Sequence, residues 1–194
     1  MILARLFLLV VLALAPTSAM AFTITFDSLN ESPAGQHTEG LFTYDRVSGT
    51  AWEYSTVGNP GSSLITGIAL PNIGDTFEFF LTGGGVFSLS SFDYAAGGFA
   101  QGDTVSFIES TGGIETTLCS ITSTSPIFTT NSSCGIGSSM DHLLIRVTNA
   151  SDVWLHFDNI SLNGEGIPAP EPASMFLLGA GLFGVVARSR KSKA

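Results

Sequence analysis

Lysine is absent from the central part of this 194-residue sequence, and arginine is rare there. Five of the seven basic residues lie in residues 1–21 or 167–194, so residues 22–166 keep only Arg46 and Arg146. The same central part holds fifteen of the sixteen acidic residues, which gives it a formal charge of −13. Such a surface repels phosphate backbones and anionic lipid headgroups. We therefore expect no nucleic-acid partner. The first interpretation of the negative charge is that it keeps the protein soluble.

Signature motifs of the common enzyme classes are also missing. No Gly-x-Ser-x-Gly, His-Glu-x-x-His or Gly-x-x-x-x-Gly-Lys occurs. His37, His142 and His156 are scattered, without ligand spacing on one element. We expect a protein that is not an enzyme and has no catalytic residue. A secreted hydrolase of unknown type is an alternative, because the separation of two carboxylates is a three-dimensional property.

The N-terminus has the three parts of a secretory signal. Arg5 precedes an apolar stretch at residues 6–15, and Ala19-Met20-Ala21 forms a small-x-small cleavage site. We predict a signal peptide at residues 1–21, with the Sec translocon and signal peptidase as partners. One domain's worth of chain, residues 22–166, follows it.

The C-terminus combines a proline-rich tripeptide, an apolar run and a basic end. Pro170, Glu171 and Pro172 precede the uncharged residues 173–187, and four Arg or Lys residues follow within residues 188–194. As a helix, these 15 residues cover about 22 Å, short of the ~30 Å hydrocarbon core. The basic end would stay cytoplasmic and leave the preceding chain outside. We predict a transmembrane helix at residues 173–187.

This arrangement resembles the PEP-CTERM sorting signal of Gram-negative bacteria, through Pro-Glu-Pro-Ala-Ser at residues 170–174, the short span and the basic cluster. The resemblance implies that an exosortase, a membrane protease, recognises residues 167–194 and removes the tail. The protein would then be anchored only transiently before it reaches the cell surface or an exopolysaccharide matrix. An ordinary C-terminal anchor is the alternative, although it needs no Pro-Glu-Pro before its span.

Period-two alternation dominates residues 22–166 and predicts an all-β fold. About ten short strands with turns every eight to twelve residues indicate an antiparallel β-sandwich, jelly-roll-like or immunoglobulin-like. Residues 28–40 and 122–139, rich in Ser, Thr and Asn, are predicted to be long loops. The predicted strands are residues 22–26, 41–47, 50–55, 64–70, 75–82, 86–94, 103–109, 114–121, 142–148 and 153–162.

Cys119 and Cys134 are the two cysteines of the sequence. An exported protein meets an oxidising compartment, and the intervening segment offers no further soft metal ligand. We predict a disulfide, which would stabilise the fold by about 3 kcal/mol in the chain-entropy model.

The last predicted strand suggests a metal site. Its Phe-Asp-Asn-Ile-Ser-Leu, residues 157–162, resembles the closing strand of jelly-roll carbohydrate-binding modules. That resemblance implies that Asp158 helps to hold a structural calcium ion, and Asp27 could join it if the first and last strands are neighbours. Two carboxylates fall short of the six to eight oxygens that calcium takes. A strand-edge turn satisfied by backbone hydrogen bonds is the alternative, with no cofactor.

Trp52 and Tyr54 share one strand face and could stack on sugar rings if they are exposed. If they are buried they fill the core, as most aromatic residues of sandwiches do. We expect an exported surface or matrix protein with a structural or adhesive role linked to exopolysaccharide or biofilm. A carbohydrate-binding module acting on matrix polysaccharide is the alternative from a second functional class.

Overall fold

Alternating apolar and polar residues form strands in most of the chain that the computed structural model describes, residues 20–27, 29, 34–49, 52–58, 61–66 and 72–165. Residues 19–165 make up one compact unit. The strands are β1 (Met20–Ile24), β2 (His37–Glu39), β3 (Phe42–Ser48), β4 (Glu53–Ser55), β5 (Ser63–Ile65), β6 (Thr76–Leu81), β7 (Val86–Ala96), β8 (Thr104–Thr111), β9 (Ile114–Ile121), β10 (Thr129–Asn131), β11 (His142–Asn149) and β12 (Leu155–Glu165).

The strands pair into two antiparallel sheets of six. The first sheet has the order β10-β7-β12-β5-β4, with β1 on β12, and the second has the order β2-β3-β6-β11-β8-β9. From β5 onward the chain alternates between the sheets, except at the β8–β9 hairpin. This places β5-β12-β7-β10 opposite β6-β11-β8-β9, which is the arrangement of a jelly roll. The predicted antiparallel β-sandwich is confirmed, and the first and last strands are neighbours.

Aromatic rings join the two sheets. Phe92 of β7 stacks on Phe107 of β8 at a centroid distance of 4.1 Å, and Phe87 of β7 meets Phe42 of β3 edge-on at 5.1 Å. All four rings have an exposed fraction of 1% or less. The hydrophobic core therefore lies between the two sheets, and the outer faces of the sheets are available for a functional site.

A bulge at Ser90 changes the direction in which the side chains of β7 face. Strict alternation places Phe92 opposite to Phe87 and Leu89, but all three side chains are buried. Leu162 pairs with Leu89 and Ser161 with Ser91, so Ser90 is an extra residue in the ladder. A bulge shifts the alternation by one residue. Phe92 therefore points into the core.

Two short strands lie in segments that were predicted to be loops. β2 (His37–Glu39) and β10 (Thr129–Asn131) have three residues each and pair at the edges of the sheets. Three residues are too few to show a period-two pattern. These two strands therefore depend on the strands with which they pair, and their own sequence does not predict them. Part of the predicted strand 64–70 lies outside the described residues.

The predicted disulfide between Cys119 and Cys134 is confirmed, with 5.4 Å between the Cα atoms. Cys119 lies on β9, at one edge of the second sheet, and Cys134 follows β10, at one edge of the first. The bond therefore joins the two sheets along one side of the sandwich.

A buried histidine is held between neutral partners. His156, on β12, is buried, with an exposed fraction of 6%. Trp154 Nε1 donates to its Nε2 over 3.0 Å, and its Nδ1 lies 2.9 Å from Ser63 Oγ, which donates to the Val57 carbonyl. Because Nε2 accepts, we place the proton of the neutral ring on Nδ1. Burial lowers the pKa of His156 to about 4.

Acidification is expected to destabilise the domain through His156. An unfolded histidine takes up a proton near its ordinary pKa of 6.5, whereas the folded one stays neutral down to about 4. The unfolded state therefore binds more protons in this window, and the stability falls as the pH falls through it. From about pH 8 to pH 5 the free energy of unfolding should drop by about 2 kcal/mol.

Urea denaturation across this pH range, with a His156→Gln variant as control, checks the prediction. Burial raises the pKa of Asp103, although hydrogen bonds from Thr66 and Ser151 oppose the effect, so Asp103 contributes a slope of the opposite sign. Both proteins share Asp103, so the difference between their pH profiles isolates His156. Identical profiles for the two proteins would contradict the assignment.

Candidate functional site

The outer face of the second sheet carries a row of polar side chains. On β6 and β11 the inward residues, such as Phe77, Phe79 and Ile145, are fully buried. The register pairs Arg146 with Thr76, Leu144 with Glu78 and His142 with Phe80. Because side chains alternate along a strand, these six pairing residues face outward together.

An ion pair crosses this face. Arg146 of β11 donates from Nη1 and Nη2 to the two carboxylate oxygens of Glu115 of β9, over 2.7 and 2.9 Å. Its Nε donates to Thr76 Oγ1 over 3.1 Å. Because β8 lies between β11 and β9, the pair spans β8 on its outer side. The exposed fractions of Leu144 and Ile108 on this face are only 8% and 5%, which we attribute to the crossing.

The ion pair fixes its own charge state. The hydrogen bonds from Arg146 lower the pKa of Glu115, and the carboxylate raises the pKa of Arg146. Both side chains are partly exposed, at 31% and 43%. Solvent screens such a pair, so it contributes no more than about 1 kcal/mol to stability. Its main effect is to hold two long side chains in one geometry.

Next to the ion pair lies an open cleft with a volume of about 500 Å³. The end of β3 forms one side, β6 and β11 form the floor, and the β8–β9 hairpin forms the other side. Hydroxyl groups, carboxylates, one imidazole and one guanidinium line it, among them Thr76, Glu78, Glu115, Asp141, His142 and Arg146. We refer to it as the outer cleft.

Two further contacts organise the outer cleft. His142 Nδ1 lies 3.2 Å from Glu78 Oε2, and the His142 ring lies 5.5 Å from the ring of the half-buried Phe80. Asp141 Oδ2 accepts from the Gly112 amide over 2.9 Å, whereas its Oδ1 is buried without a partner in the part of the chain that the structure describes. The cleft thus offers hydrogen-bond donors and acceptors in fixed positions, next to the paired rings of His142 and Phe80.

The structure contradicts an exposed aromatic platform at Trp52 and Tyr54. Their exposed fractions are 0% and 3%, and both rings pack against Phe77 in the core. The Tyr54 hydroxyl donates to the Gly35 carbonyl over 2.8 Å. Burial removes both rings from contact with a glycan, so the core alternative describes this pair.

Asp27 and Asp158 lie in different surroundings. Asp27 lines a separate cleft of about 300 Å³ together with His37 and Glu39. Asp158 is fully buried on β12, pairs with Asp93 of β7 and accepts from the Asn159 amide over 2.7 Å. Among the described residues, no three His, Cys, Asp or Glu side chains are placed to hold one metal ion. Calcium binding by Asp27 and Asp158 stays a prediction.

The predictions for the two ends of the chain fall almost entirely on residues that the structure does not describe. These are the signal peptide 1–21, apart from Met20 and Ala21 in β1, the motif Pro170-Glu171-Pro172 and the helix 173–187. Within the described ranges, no helix has the length and hydropathy that crossing a membrane requires.

The residues of the outer cleft were not predicted from the sequence. Polar residues at alternate positions of two strands were a usable signal: Thr76 and Glu78 on β6, His142 and Arg146 on β11. Only the sheet order makes these strands neighbours, and it cannot be read from the alternation.

Residues 168–191 match the family model of the PEP-CTERM protein-sorting motif, so the chain carries this exosortase signal. No curated protein matches the chain. Among the solved structures that are similar to the chain are three with TM-scores below 0.5, and similarity at this level carries no functional argument. The first is a family 29 carbohydrate-binding module from Piromyces equi, at 12% identity and a TM-score of 0.43, with 76% of this chain and 91% of that one covered. The second is the K1 cleaved adhesin domain of Lys-gingipain from Porphyromonas gingivalis W83, at 9% identity and a TM-score of 0.49, with 76% of this chain and 99% of that one covered. The third is the CBM36-1 domain of a multidomain xylanase from the hindgut metagenome of Trinervitermes trinervoides, at 10% identity and a TM-score of 0.44, with 76% of this chain and 100% of that one covered.

Proposed function

We propose that this exosortase substrate becomes a non-enzymatic domain of the cell surface or extracellular matrix, and that it holds polysaccharide in the outer cleft. The Sec translocon and signal peptidase would remove residues 1–21 during export, and the exosortase would then act on the tail. The observation that supports glycan binding is the cleft itself: about 500 Å³, open to solvent and lined by hydroxyls, carboxylates and a guanidinium.

The cleft has the chemistry that sugar rings need. Sugar hydroxyls both donate and accept hydrogen bonds, and the carboxylates of Glu78 and Glu115 accept while the Arg146 guanidinium donates. The ring of His142, which lines the cleft and packs against the ring of Phe80, offers a face to the C–H side of a sugar. Arg146 and Glu115 hold each other in place before any ligand arrives, which reduces the entropy lost on binding.

An adhesive role follows from the combination of address and site. A protein that is delivered to a polysaccharide matrix stays there if it binds the polysaccharide chains. One binding cleft on the sandwich is sufficient for this retention. The disulfide Cys119–Cys134 stabilises the domain outside the cell, where no reducing pool maintains thiols. The structural or adhesive role and the carbohydrate-binding role thus become one function.

Replacing Phe80 by alanine is expected to weaken glycan binding. A glycan array on residues 22–165 would identify ligands, and calorimetry would compare the variants. We expect Phe80→Ala to lower the affinity by about tenfold, equivalent to about 1.4 kcal/mol. Phe80 acts on the cleft through its contact with the ring of the lining residue His142. Phe99→Ala is the matched control, because Phe99 is 91% exposed and follows β7, which belongs to the other sheet. Equal affinities for wild type and Phe80→Ala would contradict the proposed site.

A hydrolase is the second candidate, because the outer cleft brings together the carboxylates of Glu78, Glu115 and Asp141. Glycoside hydrolysis needs one carboxyl group with a raised pKa to act as the acid. Arg146 lowers the pKa of Glu115, which suits an ionised carboxylate rather than an acid. In the binding experiment we expect the glycans to remain intact. Chain shortening that Glu78→Gln abolishes would establish the hydrolase instead.

A further inference from the structure

The second sheet ends in a strand whose outer edge is free. β9 (Ile114–Ile121) pairs with β8 on one side, and among the described residues its backbone makes no other hydrogen bond. β9 has eight residues, whereas β2, β4 and β10, which end the sheet orders given above, have three each. The unpaired N–H and C=O groups of a long edge strand are a template for a further strand.

The turn before β9 determines which of its backbone groups are free. Thr111 and Ile114 are partners across residues 112–113, two glycines with positive φ, as in a type I′ hairpin. The residues that flank such a turn exchange both hydrogen bonds, and bonded pairs alternate along an antiparallel ladder. The N–H and C=O groups of Glu115 and Thr117 therefore point away from β8.

The first half of β9 lacks the features that protect edge strands from association. The strand contains no proline and no lysine, and its one charged residue, Glu115, is engaged by Arg146 on the outer face. Its bulge lies at Leu118, beyond the free groups of Glu115 and Thr117. Ile114 is 74% exposed at the start of the strand. A long, uncharged and partly apolar edge of this kind favours pairing with another strand.

We propose that two copies of the domain associate through β9, in an antiparallel pair that places Thr116 opposite the same residue of the second copy. Glu115 of each copy then lies opposite Thr117 of the other, so that the free backbone groups of both residues form four hydrogen bonds across a two-fold axis. Ile114 lies opposite Leu118 of the second copy, which covers its exposed side chain.

The side chains select this register and a second copy as the occupant. Threonine opposite threonine and one apolar residue opposite another are favourable cross-strand pairs, and no like charges face each other. A shift of two residues in one direction would place Glu115 opposite itself, which is unfavourable. The opposite shift would bring Glu115 to Cys119, beyond the bulge. The segment is thus complementary to itself in one register.

The dimer is expected to be weak and to depend on salt. A pairing of about five residues buries little surface, so we expect a dissociation constant on the order of 10–100 µM. Each copy carries a formal charge of −13 over residues 22–166, and the resulting repulsion is screened by salt. The association should therefore strengthen as the salt concentration rises, whereas an association held by ion pairs would weaken.

A continuous sheet would place the two outer clefts on the same side of the dimer, because the two-fold axis is perpendicular to the sheet. Glu115 lines the cleft and lies on the associating strand, so the two clefts would be neighbours. One polysaccharide chain bound in both clefts would dissociate more slowly than from one. This consequence rests on the proposed function, whereas the dimer itself does not.

Sedimentation equilibrium of residues 22–165, which lie within one compact unit with its own core, measures the dimer without any glycan. We expect dissociation to weaken severalfold between about 0.05 and 0.5 M salt. Thr117→Pro should raise the dissociation constant at least about tenfold, because it removes a free N–H that an edge strand does not need for folding. Ile114→Glu, at an exposed position, should have the same effect without touching the backbone.

Cysteine cross-linking tests the register. Thr116 and Thr117 are both exposed neighbours on β9. In the proposed pair, the two copies of residue 116 have Cα atoms about 4.5 Å apart, within the range of a disulfide. Thr116→Cys should therefore form a covalent dimer under mild oxidation. Thr117→Cys is the matched control and should link much more slowly, since it lies opposite Glu115 of the second copy.

Other results would overturn the proposal. A domain that stays monomeric up to about 1 mM at high salt has no such interface. A dimer that persists in folded Thr117→Pro and in Ile114→Glu uses a different surface. Equal cross-linking of the two cysteine variants would overturn the register. None of these results bears on glycan binding, which the array and the Phe80→Ala comparison test separately.

Discussion

Replacing Trp52 by alanine lowers the free energy of unfolding by about 3–5 kcal/mol, because truncating a fully buried aromatic side chain leaves a cavity. Trp52 is 0% exposed, and its ring lies 5.6 Å from the ring of Phe77. Phe77 in turn contacts the rings of Tyr44 and Phe79, so the cavity opens inside one continuous aromatic cluster. The domain should unfold at a much lower urea concentration with an unchanged m value.

A matched variant, Trp52→Phe, separates packing from the indole group. The Trp52 Nε1 is buried without a hydrogen-bond partner among the residues that the structure describes. Phenylalanine removes this unsatisfied donor and keeps most of the ring, so the two effects oppose each other. We expect a change of within about 1 kcal/mol. Because the ring lies outside the cleft, Trp52→Phe should bind glycans as the wild type does. Lost binding in a stable variant would contradict the core assignment.

Changing Pro170-Glu171-Pro172 to three alanines is expected to block processing almost completely. The tripeptide lies within residues 168–191, which match the sorting motif, and the exosortase must recognise that motif before it removes the tail. The variant should accumulate as a membrane-held precursor that retains residues 173–194. Fractionation of the expressing cells, followed by intact mass measurement, would quantify precursor and mature protein.

The control for this variant replaces Gly166, which lies between β12 and the predicted sorting signal 167–194, by alanine. This change keeps the length of the spacer and leaves Pro-Glu-Pro in place, so processing should proceed normally. Normal release of the triple-alanine variant would mean that the tail is an ordinary anchor. Blocked processing in the spacer variant would show that the spacer, rather than the tripeptide, is being read.

Much of the fold could be predicted because period-two alternation is a local property. β6 shows this most clearly: alternation places Phe77, Phe79 and Leu81 on one face of the strand, and all three are buried. Cys119 and Cys134 could be paired because an exported chain with two cysteines offers one disulfide. Sequence alone thus provides the longer strands, the fold class and the covalent link between the sheets.

The outer cleft could not be predicted, because it depends on the order of the strands. Glu115 and Arg146 are 31 residues apart and meet across β8. Trp52 and Tyr54 both pack against Phe77, although Trp52 precedes β4 and does not lie on it. Whether such rings belong to the core or to the surface depends on the strands packed against them. The bulge at Ser90 moves Phe92 to the side opposite to the one that strict alternation gives, and it could not be predicted for a related reason, since a bulge forms between paired strands.

The most direct test of export, processing and matrix binding is the intact mass of the protein recovered from the membrane and the polysaccharide fractions of its native host. We expect a chain that begins at Phe22, lacks residues 173–194 and is found with the polysaccharide. A chain that keeps residues 173–194 and is found only in the membrane fraction would contradict this expectation.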